Sequence, residues 1–99
     1  MTHVAINRIP VRPGNDEVIQ QAALAFFEKR RPLLGGDLRS MQLVRSGDGS
    51  EYALISVWAS SEVDARHEND AAEEEVLQAL RPIVAGAPSE FTGSVIAEV

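Results

Sequence analysis

Four stretches of the chain are rich in strand-forming residues, and in most of them apolar positions alternate with polar ones. The Arg12-Pro13-Gly14 run ends the first stretch. The glycine-containing run at 46–50 is a strong turn signal and joins the second stretch to the third as a hairpin. Strands are therefore expected at residues 3–11, 38–45, 52–58 and 89–99.

A helical pattern fills the interval between the first two strands. Asn15 is a good N-cap residue, and Lys29 and Arg30 complement the helix dipole at the other end. Pro32 favours an extended Arg31, which predicts that the helix ends near Arg30. The stripe expected to face the sheet consists of Ile19, Ala22, Ala23, Phe26 and Phe27.

A second helical region is expected in two pieces. Ser60 and Ser61 offer cap oxygens for a short helix that ends near Glu68. Asp70 stands at the start of a capping-box pattern and predicts a longer helix over roughly 71–84. The apolar stripe of this helix consists of Val76, Leu77, Leu80, Ile83 and Val84.

The element order is β-α-β-β-α-β, which is the ferredoxin-like split βαβ arrangement of the α+β class. We expect one domain over residues 1–99, with a four-stranded antiparallel sheet and the helices on one face. Right-handed crossovers are expected to place the first and third strands side by side at the centre, parallel to each other.

The third strand predicts a partner, because it is apolar on both faces. A sheet that is covered by helices on one face only should carry polar residues on its back. We therefore expect a homodimer formed by sheet-on-sheet packing. Alternation leaves open which face carries Trp58. One face holds Ala53, Ile55 and Val57, and the other holds Tyr52, Leu54 and Trp58.

Composition narrows the classes of function. The 99 residues are 44% hydrophobic and 24% charged, as is typical of one globular domain. A formal net charge of −6 without a basic stripe argues against nucleic acid as a partner. The lack of cysteine excludes thiolate catalysis and cysteine-ligated metal centres. No apolar run approaches membrane-spanning length, so a cytoplasmic protein without membrane association is expected.

Three groups of residues resemble the antibiotic biosynthesis monooxygenase superfamily of small dimeric α+β barrel proteins. The resemblance covers roughly residues 3–97. It implies a dimeric barrel and, in many members, oxidation of polycyclic phenols or quinols by O₂ without a metal or bound organic cofactor. The groups are Ile6-Asn7-Arg8-Ile9-Pro10-Val11 with Pro13-Gly14, Gln42-Leu43-Val44-Arg45, and Val57-Trp58 with Ser60-Ser61-Glu62 and His67.

A related branch of that superfamily degrades haem, and this chain resembles it at Asn7. That branch uses an axial histidine in the second helical region, where this chain reads Ala72-Glu73-Glu74-Glu75-Val76. The lack of a histidine there argues against haem degradation. Consecutive helix positions point in three directions, so the three glutamates are expected to be solvated rather than to bind a metal.

Four residues are candidates for the site. Asn7 places an amide in a central strand, where it either donates to a ligand oxygen or is tied to neighbouring backbone. Trp58 either walls a cavity or fills the core or a dimer interface. His67 is a general base for a phenolic proton, a haem ligand standing alone, or a solvated helix residue. Phe26 is expected mainly in the core, with a chance of lining the pocket.

These residues lead to three hypotheses. The first is a cofactor-independent monooxygenase acting on an aromatic quinol- or phenol-type molecule. Asn7 would position the substrate oxygen, His67 would assist deprotonation, and Trp58 and Phe26 would bind the ring. The second is a haem-binding or haem-degrading protein that uses the same cavity. The third is a non-catalytic dimeric protein that binds a small molecule.

Overall fold

The computed structural model describes all residues 1–99 and confirms the predicted order of elements. The second helical region is in two pieces, as expected, and a 3₁₀ turn follows the first helix. The elements are β1 (His3–Pro10), α1 (Asp16–Arg30), the 3₁₀ turn (Arg31–Leu33), β2 (Leu38–Arg45), β3 (Glu51–Trp58), α2 (Ser61–His67), α3 (Ala71–Leu80) and β4 (Ser89–Ser94).

The four strands form one antiparallel sheet in the order β2-β3-β1-β4. β1 and β3 are central, as predicted, but the expectation that they run parallel is wrong. A right-handed crossover makes β1 parallel to β2, because α1 connects these two strands. The tight hairpin then reverses the chain, so β3 lies between β2 and β1 and runs antiparallel to both.

The helix ends agree with the cap and stop residues predicted from the sequence, with two exceptions. Arg31 is helical rather than extended, and the chain continues into the 3₁₀ turn, where Pro32 needs no backbone donor. Asn15 occupies the N-cap position of α1 but does not cap it, because its side-chain amide donates to the Arg12 carbonyl at 2.9 Å. Ser60 caps α2 through the Val63 N–H at 3.3 Å.

The last helix and the last strand are shorter than predicted. α3 ends at Leu80, and the chain then turns so that Ile83 is buried and Val84 pairs with Val11, the residue after β1. β4 ends at Ser94 rather than at residue 99. It runs antiparallel to β1 with Ser94 opposite His3, so the pairing ends one residue later, where the Val95 N–H donates to the Thr2 carbonyl at 2.9 Å.

A register shift in β2 changes which residues face the helices. Alternation from the sequence places Leu38 with Ser40 on one face. The structure has an irregularity between these two residues, which puts Leu38 on the helix side together with Met41 and Leu43. Leu38 is fully buried as a result, whereas Val44 is exposed.

Two clusters of buried side chains hold the helices against the sheet. The larger cluster lies beneath α1 and α3, and the smaller one lies beneath α2 at the other end of the sheet. No helix has the length and apolar character needed to cross a membrane. The larger cluster consists of Ile9, Val11, Ile19, Phe26, Tyr52, Leu54, Val76, Leu80 and Ile83, and the smaller of Ala5, Leu38, Trp58 and Val63.

Candidate functional site

A cavity of about 560 Å³ lies between the sheet and the helices α2 and α3. Its floor is the helix-facing side of β4, β1 and β3. The middle row of that floor is Thr92, Ala5 and Ser56, which lie opposite one another across the strands. These side chains are small, and the helices above are separate because Asn69 turns the chain with a φ of 60°. The cavity occupies the space between these small side chains and the two helices.

All four residues predicted for the site line this cavity. Trp58 is on the helix side of the sheet, which answers the question that alternation left open. Phe26 belongs to the buried core cluster and also contacts the cavity, as expected. The roles of Asn7 and His67 depend on their surroundings.

Asn7 lies on the cavity floor, opposite Leu54 of β3 and Glu90 of β4. The alternative interpretation was an amide tied to neighbouring backbone, but Asn7 takes part in none of the side-chain hydrogen bonds of the structure. It is partly buried and faces the cavity. Its amide therefore has both a donor and an acceptor available to a bound molecule.

Trp58 is held by two charged or polar neighbours. The His67 ring stacks on it with centroids 5.4 Å apart and an angle of 14° between the planes. The Arg30 guanidinium lies 5.6 Å from the Trp58 ring centroid and 5.1 Å from that of Phe26. The indole Nε1 is buried and has no hydrogen-bond partner in the chain. Trp58 is thus a buried wall of the cavity that His67 and Arg30 both contact.

Arg30 is a buried charge that joins α1 to α3. Its guanidinium donates to both carboxylate oxygens of Asp70, at 2.5 and 3.1 Å, and to the His67 carbonyl at 3.2 Å. Asp70 also caps α3 by accepting from the Glu73 N–H at 3.0 Å. Burial works to raise the pKa of Asp70, but that N–H and the guanidinium together lower the pKa below its ordinary value.

His67 is not a fully solvated helix residue, because 24% of its side chain is exposed. Its Nε2 lies 3.6 Å from the Asp37 carboxylate and its Nδ1 lies 3.6 Å from the Asp70 carboxylate. Both ring nitrogens therefore face an acid at ion-pair distance. The ring itself stacks on Trp58.

A second histidine lines the cavity and was not among the predicted residues. His3 Nε2 is 3.0 Å from Oδ2 of Asp64, and the side chains are 12% and 26% exposed. One signal for His3 was present in the sequence, since it shares the alternation face of Asn7 on β1. The sequence held no such signal for Asp64, because its contact with His3 joins residues 61 positions apart and forms only when the chain folds.

Glu73 also lines the cavity, which corrects the expectation that all three glutamates are solvated. The three do point in different directions, and Glu74 and Glu75 are exposed. Glu75 forms an ion pair with Lys29 of α1. Burial raises the pKa of Glu73 above its ordinary value. No group of three or more metal-ligating side chains is placed to hold a metal ion.

The lining fits haem poorly. The stretch that would carry the axial histidine contributes Glu73 and Val76 to the cavity. Four carboxylates line the cavity against two arginines, Arg30 and Arg81, and the Arg30 guanidinium is already paired with Asp70. Haem carries two carboxylates of its own, which these acids would repel. The acids are Asp64, Glu68, Glu73 and Glu90.

A search against protein-family models finds no match, and neither does a sequence search of curated proteins. Solved structures are similar in fold. A protein of Caulobacter crescentus, provisionally named an antibiotic biosynthesis monooxygenase, has a TM-score of 0.85 at 18% identity, over 97% of this chain and 91% of its own. One of Nitrosomonas europaea with the same provisional name has 0.84 at 14%, over 96% and 90%.

A third protein with that provisional name, from Bordetella bronchiseptica, has a TM-score of 0.74 at 18% identity, over 97% of this chain and 98% of its own. At such identities the likeness shows the fold. The chain thus has the fold of the antibiotic biosynthesis monooxygenase proteins, which confirms the predicted ferredoxin-like α+β class.

Proposed function

We propose that the protein is a cofactor-independent monooxygenase that oxidises an uncharged aromatic phenol or quinol with O₂. The observation that carries this proposal is the Asn7 amide, which faces an aromatic-walled cavity and has no partner in the chain. The fold likeness to proteins provisionally named antibiotic biosynthesis monooxygenases supports the reaction class. The acidic lining favours a neutral substrate over an anionic one.

The quinol itself supplies the four electrons that reduce O₂. Two come from its oxidation to a quinone, and two come from conversion of a ring C–H to C–OH. One oxygen atom enters the product and the other leaves as water, so no external reductant is needed. The difficult steps for the protein are to remove the hydroxyl proton and to stabilise the resulting anion.

Each candidate residue has a role in that chemistry. A cavity histidine, His67 in the prediction from sequence, takes the proton. Asn7 donates to the oxygen on which negative charge develops, and a fixed dipole in a dry cavity is worth far more than in water. Trp58 and Phe26 bind the ring and keep water away from the anion.

Oxygen uptake tests the proposal. The purified protein should consume O₂ with at least one of catechol, hydroquinone and 1,4-naphthohydroquinone, above the rate without protein. Asn7→Ala should lower the catalysed rate by about a hundredfold, because one oxyanion donor is lost. Gln20→Ala is the matched control, since it removes an exposed amide from α1. Equal rates for wild type and Asn7→Ala would remove Asn7 from the mechanism.

The non-catalytic alternative gives a different result. Trp58 is the only tryptophan and lines the cavity, so quenching of its fluorescence reports occupancy. Quenching by the quinols without any oxygen uptake would identify a binding protein. Trp58→Phe should mainly raise KM, because it reduces the ring surface without touching the reacting oxygen.

A further inference from the structure

We propose that His3 is the proton acceptor of the cavity and that Asp64 positions it. This inference rests on the proposed function for its substrate, a phenol or quinol with a free hydroxyl group. The O–H bond of the substrate breaks, the proton goes to His3 Nδ1, and the electron pair stays on the phenolate oxygen. The imidazolium that forms is held by the Asp64 carboxylate.

The contact between the two residues sets the tautomer. Asp64 Oδ2 lies 3.0 Å from His3 Nε2, and a carboxylate accepts from Nε2–H. The neutral ring then carries its lone pair on Nδ1. That atom has no hydrogen-bond partner in the chain and is not among the buried unsatisfied atoms. A carboxylate that fixes one ring nitrogen so that the other can take a proton is the arrangement of hydrolase triads.

His3 is placed to act together with Asn7. The two residues are on the same face of β1, with Ala5 between them. Four strand positions separate their Cα atoms by roughly 13 Å. The small Ala5 side chain leaves this part of the floor open. A fused aromatic of two or three rings would lie over Ala5, with a hydroxyl at His3 and a second oxygen at Asn7.

His67 is less suited to this role. Each of its nitrogens faces a carboxylate at 3.6 Å, and its ring stacks on Trp58. His3, in contrast, has one nitrogen occupied and one free. The geometry assigns His67 to holding the Trp58 wall in place. Loss of His67 should therefore weaken binding rather than proton transfer.

The test uses 4-nitrophenol, whose anion is yellow, at about one pH unit below its own pKa. Binding is followed by quenching of Trp58. The bound phenol should turn yellow in the wild type. His3→Gln should lower the yellow signal per bound molecule by about tenfold. Asp64→Asn should lower it in the same direction, and Glu62→Gln, an exposed carboxylate on the same helix, should not.

A second measurement does not depend on any ligand. The ¹⁵N chemical shifts of the imidazole nitrogens should show Nε2 protonated and Nδ1 bare in the neutral His3 ring. Asp64→Asn should reduce this preference. A proton on Nδ1 in the wild type would overturn the assignment even if the His3→Gln variant failed to fold.

The outcomes separate this inference from the proposed function. A bound phenol that stays colourless in the wild type, or yellow colour that survives His3→Gln and is lost in His67→Gln, overturns the role of His3 alone. Yellow colour that depends on His3 without oxygen uptake from any quinol supports the pair and overturns the monooxygenase. No binding of 4-nitrophenol together with no oxygen uptake from any quinol would overturn both.

Discussion

Glu73 is a cavity carboxylate whose ionisation is opposed by burial. Its pKa is raised because desolvation outweighs the Asn69 N–H and the charge of Arg30. A folded state that binds the proton more tightly than the unfolded state loses stability as pH rises through that pKa. An acid retained under these conditions in a cavity is a candidate for function.

Replacing Glu73 should therefore stabilise the protein. Glu73→Gln removes the desolvated charge and keeps an oxygen for the Asn69 N–H, which donates to Glu73 at 3.4 Å. The melting temperature should rise on the order of 2 °C at about pH 7. The gain should shrink at about pH 4, where the wild-type carboxyl is protonated. Glu74→Gln, at the exposed neighbouring position, should show no such change; an equal gain there would contradict the account.

The acidic lining also predicts the response to haem. Titration with haemin should give weak binding and, after a reductant is added under air, no turnover. The stretch 72–76 contributes a glutamate and a valine to the cavity and has no histidine to bind the iron. The acids of the lining also repel the haem carboxylates. Absorption spectra give the result directly. A sharp Soret band that bleaches to a ring-opened product would make haem degradation the better reading of the cavity.

At the scale of elements, most helices and strands were predicted from signals that are local in the sequence. Caps and hairpin residues act within a few positions, so Ser60, Asp70 and the 46–50 turn placed their elements correctly. The shift in β2 and the end of β4 depend on strand partners far along the chain. The same division holds for the site. The resemblance pointed to Asn7 and Trp58, which both line the cavity, while the contact of His3 with a helix needed the fold.

Asp70 connects α1 to α3, so its charge should contribute more to the stability of the fold than its N-cap hydrogen bond does. Asp70→Asn keeps an N-cap residue for α3 but leaves the Arg30 guanidinium buried without a counter-ion. The free energy of unfolding in urea should fall by about 2–3 kcal/mol. Glu28→Gln, which breaks the exposed pair with Arg31, should leave the free energy of unfolding almost unchanged.

The pH dependence of that difference has a definite sign. The folded pKa of Asp70 is lowered, so its contribution is present above the ordinary pKa range of aspartate and is lost as pH falls through the folded value. The wild type and Asp70→Asn should thus converge in stability in acid. A gap that stays constant down to about pH 2 would show that packing, not charge, makes the contribution.

At the scale of the whole molecule, the face of the sheet away from the helices is the unexplained surface. Its central strands present apolar side chains that are only partly buried, and Phe91 on β4 is 66% exposed. Cross-strand pairing places Phe91, Ile6 and Ile55 in one row across three strands. A continuous apolar face of this kind marks an interaction surface. The expected occupant is the same face of a second copy, because an isologous contact matches apolar rows to each other.

The protein should therefore sediment at twice the 10.7 kDa mass of one chain at micromolar concentration. Ile55→Glu places a charge at the centre of the apolar row and should give monomers, since an unpaired charge in such an interface is strongly unfavourable. Leu24→Glu is the matched control, because Leu24 is a 55% exposed apolar residue on α1, away from the sheet. Far-UV circular dichroism should be the same for all three proteins, because residue 55 points away from the core. A wild type that sediments as a single chain would contradict the interface, and the apolar row would then need another partner.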